Sequence, residues 1–500
     1  MLADLLNMSV ERNEDLGLGV GMLTTLSKPG KPVGPVENIR PIILLPLLRK
    51  ILSLIVLDRM RTPINSYLSS SQSAYRSGRS TADIIWAHRW LIAKTLKYKV
   101  VIHILGLDMS RAFDTIDRSK LLTILGEIPG LSIDCKRLIR ILLANTSLTV
   151  RFNGILTQPF ESNIGSPQGD ALSPILFAIY LEYALRQLRK DGPQRPRVDL
   201  DTDIPLEAIY ADDVDFISSC NNFLDCIQSQ VGPIFKELNL LVNNVKTERT
   251  IIGHKDMLDD EHAWCKVKKL GSLLSVKEDV GRRILLSTQC FKKLNNVWKY
   301  RKVVHKKVLL NAYKAIVESV LLYNCGTWAL DQSDADKIDT FQRRLLRQLL
   351  GYRWYDKVKN EDLYAQVGIL PASIQVVSAR WRLFGHTLRL EENTPARKAM
   401  LYYFSYNDMK GRQGPRVLLP TVLSKEYKNV TGEDLNSLDQ YNKIIKLSKT
   451  REKWKELVDN IVETSKSEYV DKMIKKRSTY QTHEPTHHYA LRNNKAFTYV

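Results

Sequence analysis

Two adjacent aspartates, Asp212 and Asp213, interrupt a stretch of the chain that is otherwise apolar. The segments on either side, residues 206–211 and 214–218, are rich in apolar and β-branched side chains, which predicts two strands with the acids at the tip of their hairpin. Adjacent carboxylates repel each other and cost stability unless a cation lies between them. An isolated Asp-Asp dipeptide is more often a simple turn, because Asp is common in turns. The choice between a turn and a cation site therefore depends on the rest of the chain.

A third acid, Asp108, ends the largely apolar segment 100–107, which is predicted to be a buried strand. Mg²⁺ is a hard cation that prefers oxygen ligands, and sites that handle nucleotide phosphates hold it with a few carboxylates and the phosphates themselves. Two metal ions held in this way can activate an attacking hydroxyl and stabilise the leaving group. The acids therefore predict a magnesium site, where the protein contributes positioning and charge neutralisation.

The chain carries a large excess of positive charge. It has 74 Lys and Arg against 54 Asp and Glu, which leaves a net charge of +20. A surplus of this size indicates a polyanionic partner, because phosphates attract cations independently of sequence. Residues 282–314 alone hold ten Lys or Arg and no acidic residue. Two plainer interpretations stay open here, since a basic surface can serve solubility alone and a run of like charge is often a solvated face.

Several classes of protein are not indicated by the sequence. The six cysteines are scattered and none forms a C-x-x-C pair, so neither a zinc knuckle nor a thioredoxin-like redox site is predicted. The longest apolar stretch, residues 42–57, is interrupted by Pro46, Arg49 and Lys50, and it is too short and too charged to span a bilayer. No signal-peptide pattern opens the chain. We therefore expect an intracellular protein, in cytoplasm and nucleus, without a membrane partner.

The order of predicted elements indicates an α+β fold in several domains. Five hundred residues are enough for about three domains. After an N-terminal extension, residues 1–24, strands and helices alternate over residues 25–275. Residues 276–400 are predicted to be helical, and residues 401–500 form a basic C-terminal region. The polar tail after about residue 465 is predicted to be poorly ordered.

A series of short motifs surrounds the acids along the chain. In chain order they are Asn38-Ile-Arg-Pro-Ile, Ser71-Gln-Ser-Ala-Tyr-Arg-Ser-Gly-Arg-Ser-Thr, Leu107-Asp-Met-Ser-Arg-Ala-Phe-Asp, Gly165-Ser-Pro-Gln-Gly-Asp-Ala-Leu-Ser-Pro, Tyr210-Ala-Asp-Asp, Asn244-Val-Lys-Thr-Glu and Lys269-Leu-Gly-Ser. This series resembles the reverse transcriptase of non-LTR (LINE-type) retrotransposons. The acid pair corresponds to the Y-A-D-D box of that family, and the order of the motifs carries the resemblance more than any one of them.

The resemblance implies a right-hand polymerase fold. Fingers would span about residues 25–100 and a palm with a mainly antiparallel sheet about residues 100–275, followed by a helical thumb and connection in residues 276–400. The implied function is an RNA-directed DNA polymerase that extends a primer 3′-hydroxyl by two-metal-ion nucleotidyl transfer. Its partners would be an RNA template, a DNA primer and deoxynucleoside triphosphates. Its cofactor would be two Mg²⁺ ions, with Mn²⁺ as a substitute.

The resemblance also assigns the catalytic side chains. Asp108, Asp212 and Asp213 would be the metal-binding carboxylates, with Asp108 and Asp212 as the lasting ligands. Lys246 would protonate or steady the leaving pyrophosphate. A solvated lysine at a strand edge is an equally fitting interpretation of that residue.

The incoming nucleotide would be held by side chains from several motifs. Arg40 would grip the triphosphate, because a guanidinium makes paired bonds to phosphate oxygens, with Lys28 as a second cation. Phe113 would lie under the sugar and clash with a ribose 2′-hydroxyl, although core packing is the plainer interpretation of this ring. Gln168 and Gly169 would line the nucleotide. The full nucleotide-binding set is Lys28, Arg40, Phe113, Gln168, Gly169 and Tyr210.

The primer would be held by a hairpin and by the basic helices after it. Leu270 and Gly271 are implied to form a primer grip, where glycine lets the primer backbone approach closely. Residues 282–314 would form a thumb that follows the template–primer backbone.

Two other functions stay open from the sequence alone. A chain that keeps this fold but has lost polymerisation would be an RNA-binding remnant, although the intact acids argue against it. A maturase-like splicing factor is the weaker alternative, because the downstream segments do not resemble that family. Nothing in the chain resembles the endonuclease that precedes the polymerase in complete elements of this kind. We therefore expect a truncated copy or a fragment of a longer reading frame.

Overall fold

A computed structural model describes the chain over residues 2–12, 14–28, 30, 32, 34–152, 154–197, 199, 204–253, 263–405 and 417–482. Helices and strands are mixed up to Leu273, and the elements that the structure describes after this residue are all helical, which confirms the predicted α+β fold. The strands form a five-stranded sheet, a four-stranded sheet and two small pairs. None of the helices in the described parts of the chain is both long and apolar enough to cross a membrane.

The elements are numbered in chain order. The strands are β1 (Val20–Ser27), β2 (Ile39–Leu44), β3 (Ile102–Leu107), β4 (Met109–Ser110), β5 (Ser147–Phe152), β6 (Ile155–Leu156), β7 (Phe160–Glu161), β8 (Glu207–Tyr210), β9 (Asp213–Ser218), β10 (Leu241–Val242), β11 (Glu248–Ile252), β12 (Lys268–Lys269) and β13 (Ser272–Leu273). The helices of the first half are α1 (Leu2–Glu11), α2 (Leu47–Tyr67), α3 (Thr81–Tyr98), α4 (Arg118–Glu127), α5 (Ile133–Leu143), α6 (Ser173–Asp191) and α7 (Asn221–Glu237). The helices of the second half are α8 (Val276–Lys293), α9 (Asn295–Lys299), α10 (Lys306–Ala312), α11 (Ser319–Leu321), α12 (Gln332–Leu350), α13 (Asn360–Val367), α14 (Ala372–Leu388), α15 (Pro395–Phe404), α16 (Leu419–Thr431), α17 (Leu438–Ser448) and α18 (Arg451–Thr482).

The five-stranded sheet joins distant parts of the chain. Its order is β2-β1-β5-β6, with β7 also paired to β5, and β1 lies antiparallel to β2 but parallel to β5. The predicted N-terminal extension, residues 1–24, therefore ends inside an inner strand, and that boundary is wrong. The inner position of β1 could not be read from the local sequence because one of its two partners, β5, lies more than a hundred residues further along the chain.

The four-stranded sheet has the order β11-β3-β9-β8, and every neighbouring pair is antiparallel, as predicted for the palm. Both faces of its central strands, β3 and β9, are buried. Leu105 and Leu107 of β3 pack with helices α4 to α7, whereas Ile102 and Ile104 pack with α3 and the C-terminal helices. Side chains of a strand alternate between faces, so this one apolar strand supplies two cores.

The helices of the second half build a further apolar core. Side chains of α8 to α13 enclose it, with Phe291, Tyr313 and Leu346 among the buried residues. The prediction that residues 276–400 are helical is confirmed by these elements and by α14 and α15. Helices α14 to α18 then fold back onto α3, where Trp90 packs against Tyr403 and Tyr441 with ring centroids 5.3 and 5.7 Å apart.

The last helix, α18, corrects a prediction. It continues to Thr482, so the expected poorly ordered tail after about residue 465 is wrong up to that residue. Its sequence is polar but rich in Lys and Glu, which are good helix formers. Buried Trp454 and Ile461 dock its first half, and Lys472 pairs with Asp336. The rest of the predicted tail, residues 483–500, lies outside the described residues.

A buried ion pair fixes the loop that precedes α6. Arg49 of α2 is fully buried and its Nε donates to Asp170 Oδ2 at 2.8 Å. Its Nη1 also donates to the Leu18 carbonyl at 3.2 Å, and Asp170 accepts from the Leu172 N–H at 3.2 Å. The predicted nucleotide loop is thereby held against a helix that is distant in sequence.

Removal of the carboxylate should reveal the importance of this pair. We expect Asp170→Asn to lower the free energy of unfolding by roughly 3–5 kcal/mol, because it leaves a buried guanidinium without its counter-charge. Urea denaturation followed by circular dichroism measures the loss. The control is Asp58→Asn, which removes an exposed partner of Arg61 and should change stability by less than about 1 kcal/mol. Equal effects of the two substitutions would contradict the assignment.

Candidate functional site

The acid pair lies at one end of the antiparallel sheet. Strand β8 ends at Tyr210 and β9 begins at Asp213, and these two residues are partners across the hairpin. Strand β3 lies on the other side of β9, with Leu107 opposite Val214. Asp108, the residue after β3, therefore leaves the sheet at the same end as Asp213.

A buried glutamine, which the sequence gave no reason to single out, holds this hairpin turn. Ala211 has a φ of 58°, in the left-handed region, and its N–H donates to Gln72 Oε1 at 3.1 Å. The same oxygen accepts from the Ala74 N–H at 2.9 Å. The Ser73 N–H donates to the Ile209 carbonyl at 2.9 Å, which extends the sheet edge beyond β8. In the sequence Gln72 is one polar residue among many in its motif, and only its burial reveals the role.

The three acids influence one another electrostatically. The pKa of Asp212 is raised, first by burial and then by the charge of Asp108. Burial, followed by the charges of Asp212 and Asp215, raises the pKa of Asp213 to about 6. Lys269 opposes this rise and Asp108 adds to it. The site thus holds more negative charge than its cations balance, and a bound cation would relieve that excess.

Lys246 lies beside the first acid. Its Nζ donates to Asp108 Oδ2 at 3.3 Å. The segment is positioned by the β4–β10 pair and by the Asn243 N–H, which donates to the Asp108 carbonyl at 2.8 Å. The Lys246 side chain is 66% exposed, so it is both a counter-charge to the acid and free to meet a ligand from solvent.

A cavity of about 460 Å³ joins the acids to the β12–β13 hairpin. It is open to solvent and polar residues dominate its rim. Half of the predicted site residues line it, namely Asp108, Tyr210, Asp213, Lys246, Leu270 and Gly271. Residues from four distant motifs therefore meet at one place in the fold.

A buried charge cluster in the wall of this cavity was not predicted. Lys269 Nζ donates to Asp215 Oδ1 at 2.7 Å, and His88 Nε2 lies 3.2 Å from Asp215 Oδ2. Burial alone would raise the pKa of Asp215, but the charges of Lys269 and His88 outweigh burial and lower it to about 2. A Cβ at Gly106 would lie 2.4 Å from Lys269 Nζ, so glycine leaves the space for the ammonium. The one sequence feature that could have revealed this cluster is an acid, Asp215, inside an otherwise apolar strand.

The turn of the β12–β13 hairpin is formed by the two predicted primer-grip residues. Leu270 and Gly271 have φ of 45° and 80°. The Leu270 carbonyl accepts from the Tyr323 hydroxyl at 3.1 Å, and the Gly271 carbonyl accepts from Arg282 Nη1 at 2.5 Å. A Cβ on Gly271 would come no closer than 3.5 Å to Tyr323, so the backbone angle rather than space requires glycine. The hairpin is thus joined to α8.

Three predicted nucleotide-binding residues, Lys28, Gln168 and Gly169, form a second group that does not line the cavity of the acids. Gln168 Nε2 donates to Asp114 Oδ1 at 3.3 Å. Burial raises the pKa of Asp114, while Gln168 and nearby cations, including Lys28, oppose the rise. A Cβ at Gly169 would lie 2.4 Å from the Ile43 carbonyl oxygen. The close approach of β2 therefore explains this glycine without a ligand.

The remaining two predicted nucleotide contacts differ in their surroundings. The Phe113 ring packs on Phe177 with centroids 4.9 Å apart and is only partly buried. It therefore contributes to the core while one part of the ring stays accessible. Arg40 is exposed on β2, where it pairs across the sheet with Leu26.

The acids fit a divalent cation by their chemistry. Asp108, Asp212 and Asp213 offer only carboxylate oxygens, the ligands that Mg²⁺ prefers, and their mutual repulsion favours a cation among them. In the parts of the chain that the structure describes, no three Asp, Glu, His or Cys side chains are close enough to hold an ion as they stand. The three carboxylates would thus have to turn toward a metal to share it.

The chain matches a known protein family over about half of its length. The family described as Reverse transcriptase (RNA-dependent DNA polymerase) matches residues 26–280. The match includes the whole four-stranded sheet, the acid hairpin and the β12–β13 hairpin.

Two of the curated relatives belong to mobile elements of Drosophila melanogaster. The RNA-directed DNA polymerase from mobile element jockey is 23% identical over 410 residues, which cover 75% of this chain and 42% of that one. The probable RNA-directed DNA polymerase from transposon X-element is 25% identical over 367 residues, covering 69% and 39%. The chain thus spans about two fifths of the length of these relatives. Among solved structures, telomerase from Candida tropicalis with a TWJ fragment of telomeric RNA aligns at 14% identity and a TM-score of 0.39, covering 77% of this chain and 64% of that one.

Thermal unfolding without metal should report on the raised pKa of Asp213. Because the folded chain holds this proton more tightly than the unfolded chain, ionisation destabilises the fold as the pH rises from about 4 to above 6. With EDTA present, we expect Asp213→Asn to melt at a higher temperature than the parent at about pH 8. The difference should shrink as the pH falls and vanish below about pH 4, where the acid is protonated in both the folded and the unfolded parent. The exposed Asp134→Asn should show no such dependence, and a less stable Asp213→Asn at high pH would contradict the prediction.

Lys269 should be needed for stability. We expect Lys269→Met to lower the free energy of unfolding by roughly 3 kcal/mol or more, because Asp215 stays buried with too little compensating charge. The pKa of Asp215 is lowered in the fold, so this difference should be present above about pH 4 and shrink as the pH falls toward 2. Denaturation across this pH range measures it, with the exposed neighbour Lys268→Met as the control. If Lys269→Met/Asp215→Leu were less stable than Lys269→Met, the ion-pair explanation would be wrong.

Proposed function

This chain belongs to the reverse transcriptase family, and on that premise we propose that it extends the 3′-hydroxyl of a DNA primer on an RNA template. The substrates would be deoxynucleoside triphosphates and the source a non-LTR mobile element. One observation carries the proposal: Asp108 and the Asp212-Asp213 pair leave the same end of an antiparallel sheet, and the charge of Asp108 contributes to the raised pKa of both Asp212 and Asp213. Packing alone gives no reason to hold acids from distant motifs together, because their burial and mutual repulsion destabilise the fold.

The metal chemistry would depend on these carboxylates. When bound, two Mg²⁺ ions, or Mn²⁺ in their place, would supply activation of the primer hydroxyl and neutralisation of the leaving pyrophosphate. The side chains of Asp108, Asp212 and Asp213 would hold them. The chain's own contribution is to fix three acids at one sheet edge, which the Gln72 contact to the turn supports.

Lys246 is proposed as the proton donor to the leaving pyrophosphate. Its ammonium lies 3.3 Å from Asp108 and most of its side chain is open to solvent. It is therefore close to the acids yet accessible to a phosphate that arrives there. Donation of its proton would neutralise the charge that develops on the pyrophosphate oxygen as its bond to the α-phosphorus breaks.

The nucleotide and the primer would occupy different walls of the site. Arg40 and Lys28 would meet the triphosphate from the five-stranded sheet, and the accessible part of Phe113 would exclude a ribose 2′-hydroxyl. Gln168, Gly169 and Tyr210 complete the proposed nucleotide set. Leu270 and Gly271, at the rim of the acidic cavity, would meet the primer.

Primer extension tests the proposal directly. We expect Asp108→Ala and Asp212→Ala each to lower incorporation of labelled deoxynucleotide on an RNA template by at least about a hundredfold, because charge stabilisation in the transition state is lost. Filter binding of the template–primer should stay near the parent value. The control is Asp134→Ala, whose carboxylate is exposed on α5 and should leave incorporation unchanged.

The outcomes separate the proposal from its alternative. Incorporation by Asp212→Ala at the parental rate would show that the acids are not catalytic. A parent chain that binds template–primer but never extends it, with either metal, would indicate an RNA-binding remnant of the same fold.

A further inference from the structure

A positively charged groove lies at the far end of α8, away from the acids. Its volume is about 720 Å³, and its lining includes Lys292, Lys299, Arg301 and Arg353. No carboxylate is among the described residues that line it. Four cations around one groove indicate an anionic partner, because nothing on its walls balances their charge.

Three aromatic side chains next to this groove are unusually exposed. Trp354 is 88% exposed, Tyr300 is 64% exposed and Tyr355 is 59% exposed. Each lies within two residues of a groove cation, Arg301 or Arg353. Large aromatic rings in water are normal when they are scattered singly. Three of them beside one basic groove form a surface for binding rather than a random exposure.

The groove is built on a firm support. Its floor contains a stack of Phe291 and Trp298, whose ring centroids are 5.1 Å apart, and Trp298 Nε1 donates to the Phe291 carbonyl at 2.8 Å. Gly351 has a φ of 80°, and a Cβ there would lie 2.4 Å from Arg301 Nε. The cation and the turn are therefore packed closely together, so Arg301 is held in place without being buried.

The turn that carries the exposed rings is also ordered by its own contacts. The Arg353 N–H donates to Asp356 Oδ2 at 2.6 Å, a contact within the turn itself. The rings of Trp354 and Tyr355 are 5.8 Å apart at an angle of 72°. The two rings thus present faces in different directions, and their backbone is fixed before any ligand arrives.

The groove is separate from the proposed active site. The first turns of α8 contact the β12–β13 hairpin through Arg282, whereas Lys292 lies ten residues further along the same helix. This spacing corresponds to about 15 Å at 1.5 Å per residue. None of the groove residues lines the cavity of the acids in the described part of the chain.

We propose that this groove binds single-stranded RNA. Cations that follow a phosphate backbone, combined with aromatic rings on which unpaired bases stack, are the two components of single-strand binding. A duplex could use the cations, but its bases are already stacked on each other and cannot use Trp354 or Tyr355. The choice of RNA over DNA rests on the proposed function, in which RNA is the template. The binding itself requires neither metal nor primer.

Fluorescence anisotropy with a labelled, unstructured RNA oligonucleotide tests the proposal on the full chain in EDTA. We expect Trp354→Ala/Tyr355→Ala to weaken RNA binding at least roughly tenfold, since each stacked base contributes measurably to affinity. Binding of an RNA–DNA duplex should change by less than about twofold, because its bases cannot stack on the rings. Trp354→Phe, which keeps a ring, should recover most of the affinity.

Two further substitutions serve as matched controls. Ile133→Ala removes an equally exposed apolar side chain on α5 and should leave RNA binding unchanged. Lys299→Glu/Arg353→Glu should reduce both the affinity and its salt dependence, because fewer phosphates are then neutralised. Lys443→Glu/Lys446→Glu makes the same change of charge on the exposed side of α17 and should have a smaller effect.

Three results would contradict RNA binding at the groove. Parental affinity in Trp354→Ala/Tyr355→Ala, equal losses for RNA and duplex, or a preference of the parent for single-stranded DNA would each overturn the proposal. Asp212→Ala should bind the oligonucleotide as the parent does while failing to extend a primer. A failure of the RNA-binding proposal and a failure of the proposed polymerase function are therefore detected with different variants.

Discussion

The antiparallel pairing of β3 with β9 is the contact on which the candidate site depends. It sets Leu107 opposite Val214, and in doing so it brings the end of one strand beside the start of the other. Three carboxylates then lie at one end of the sheet, where burial and like charge raise the pKa of Asp212 and of Asp213. The sheet can impose this arrangement because both faces of β3 and β9 are buried in apolar cores, which resist any slip in register.

The charges around the acids are arranged in layers. Lys246 contacts Asp108 at the solvent side, and Lys269 lies behind the acids against Asp215. The outer cation can move when a ligand arrives, whereas the inner one is nearly enclosed and bound to a carboxylate whose pKa is lowered to about 2. The site therefore combines a fixed cation, Lys269, which stabilises the structure, with a movable cation, Lys246, which can take part in a reaction.

Much of this arrangement could be predicted from sequence, for a physical reason. The strands around Asp108 and Asp213 are apolar and end in acids, so their position in a buried sheet follows from local pattern alone. Gln72 could not be identified, because its role depends on a turn formed more than a hundred residues away. The inner position of β1 was missed because its parallel partner, β5, is also more than a hundred residues away, and the helix beyond residue 465 was missed because its docking contacts, not its polar composition, hold it in place.

The absence of a side chain at Gly106 has a mechanical consequence. The ammonium of Lys269 crosses that space to reach Asp215, and it thereby ties the β12–β13 hairpin to the strand that carries the acids. The hairpin turn is bonded in addition to α8 through Arg282. Direct contacts therefore connect α8 to the β12–β13 hairpin and the hairpin to β9. A displacement of α8 is thus transmitted to the carboxylates instead of being absorbed by a loose loop.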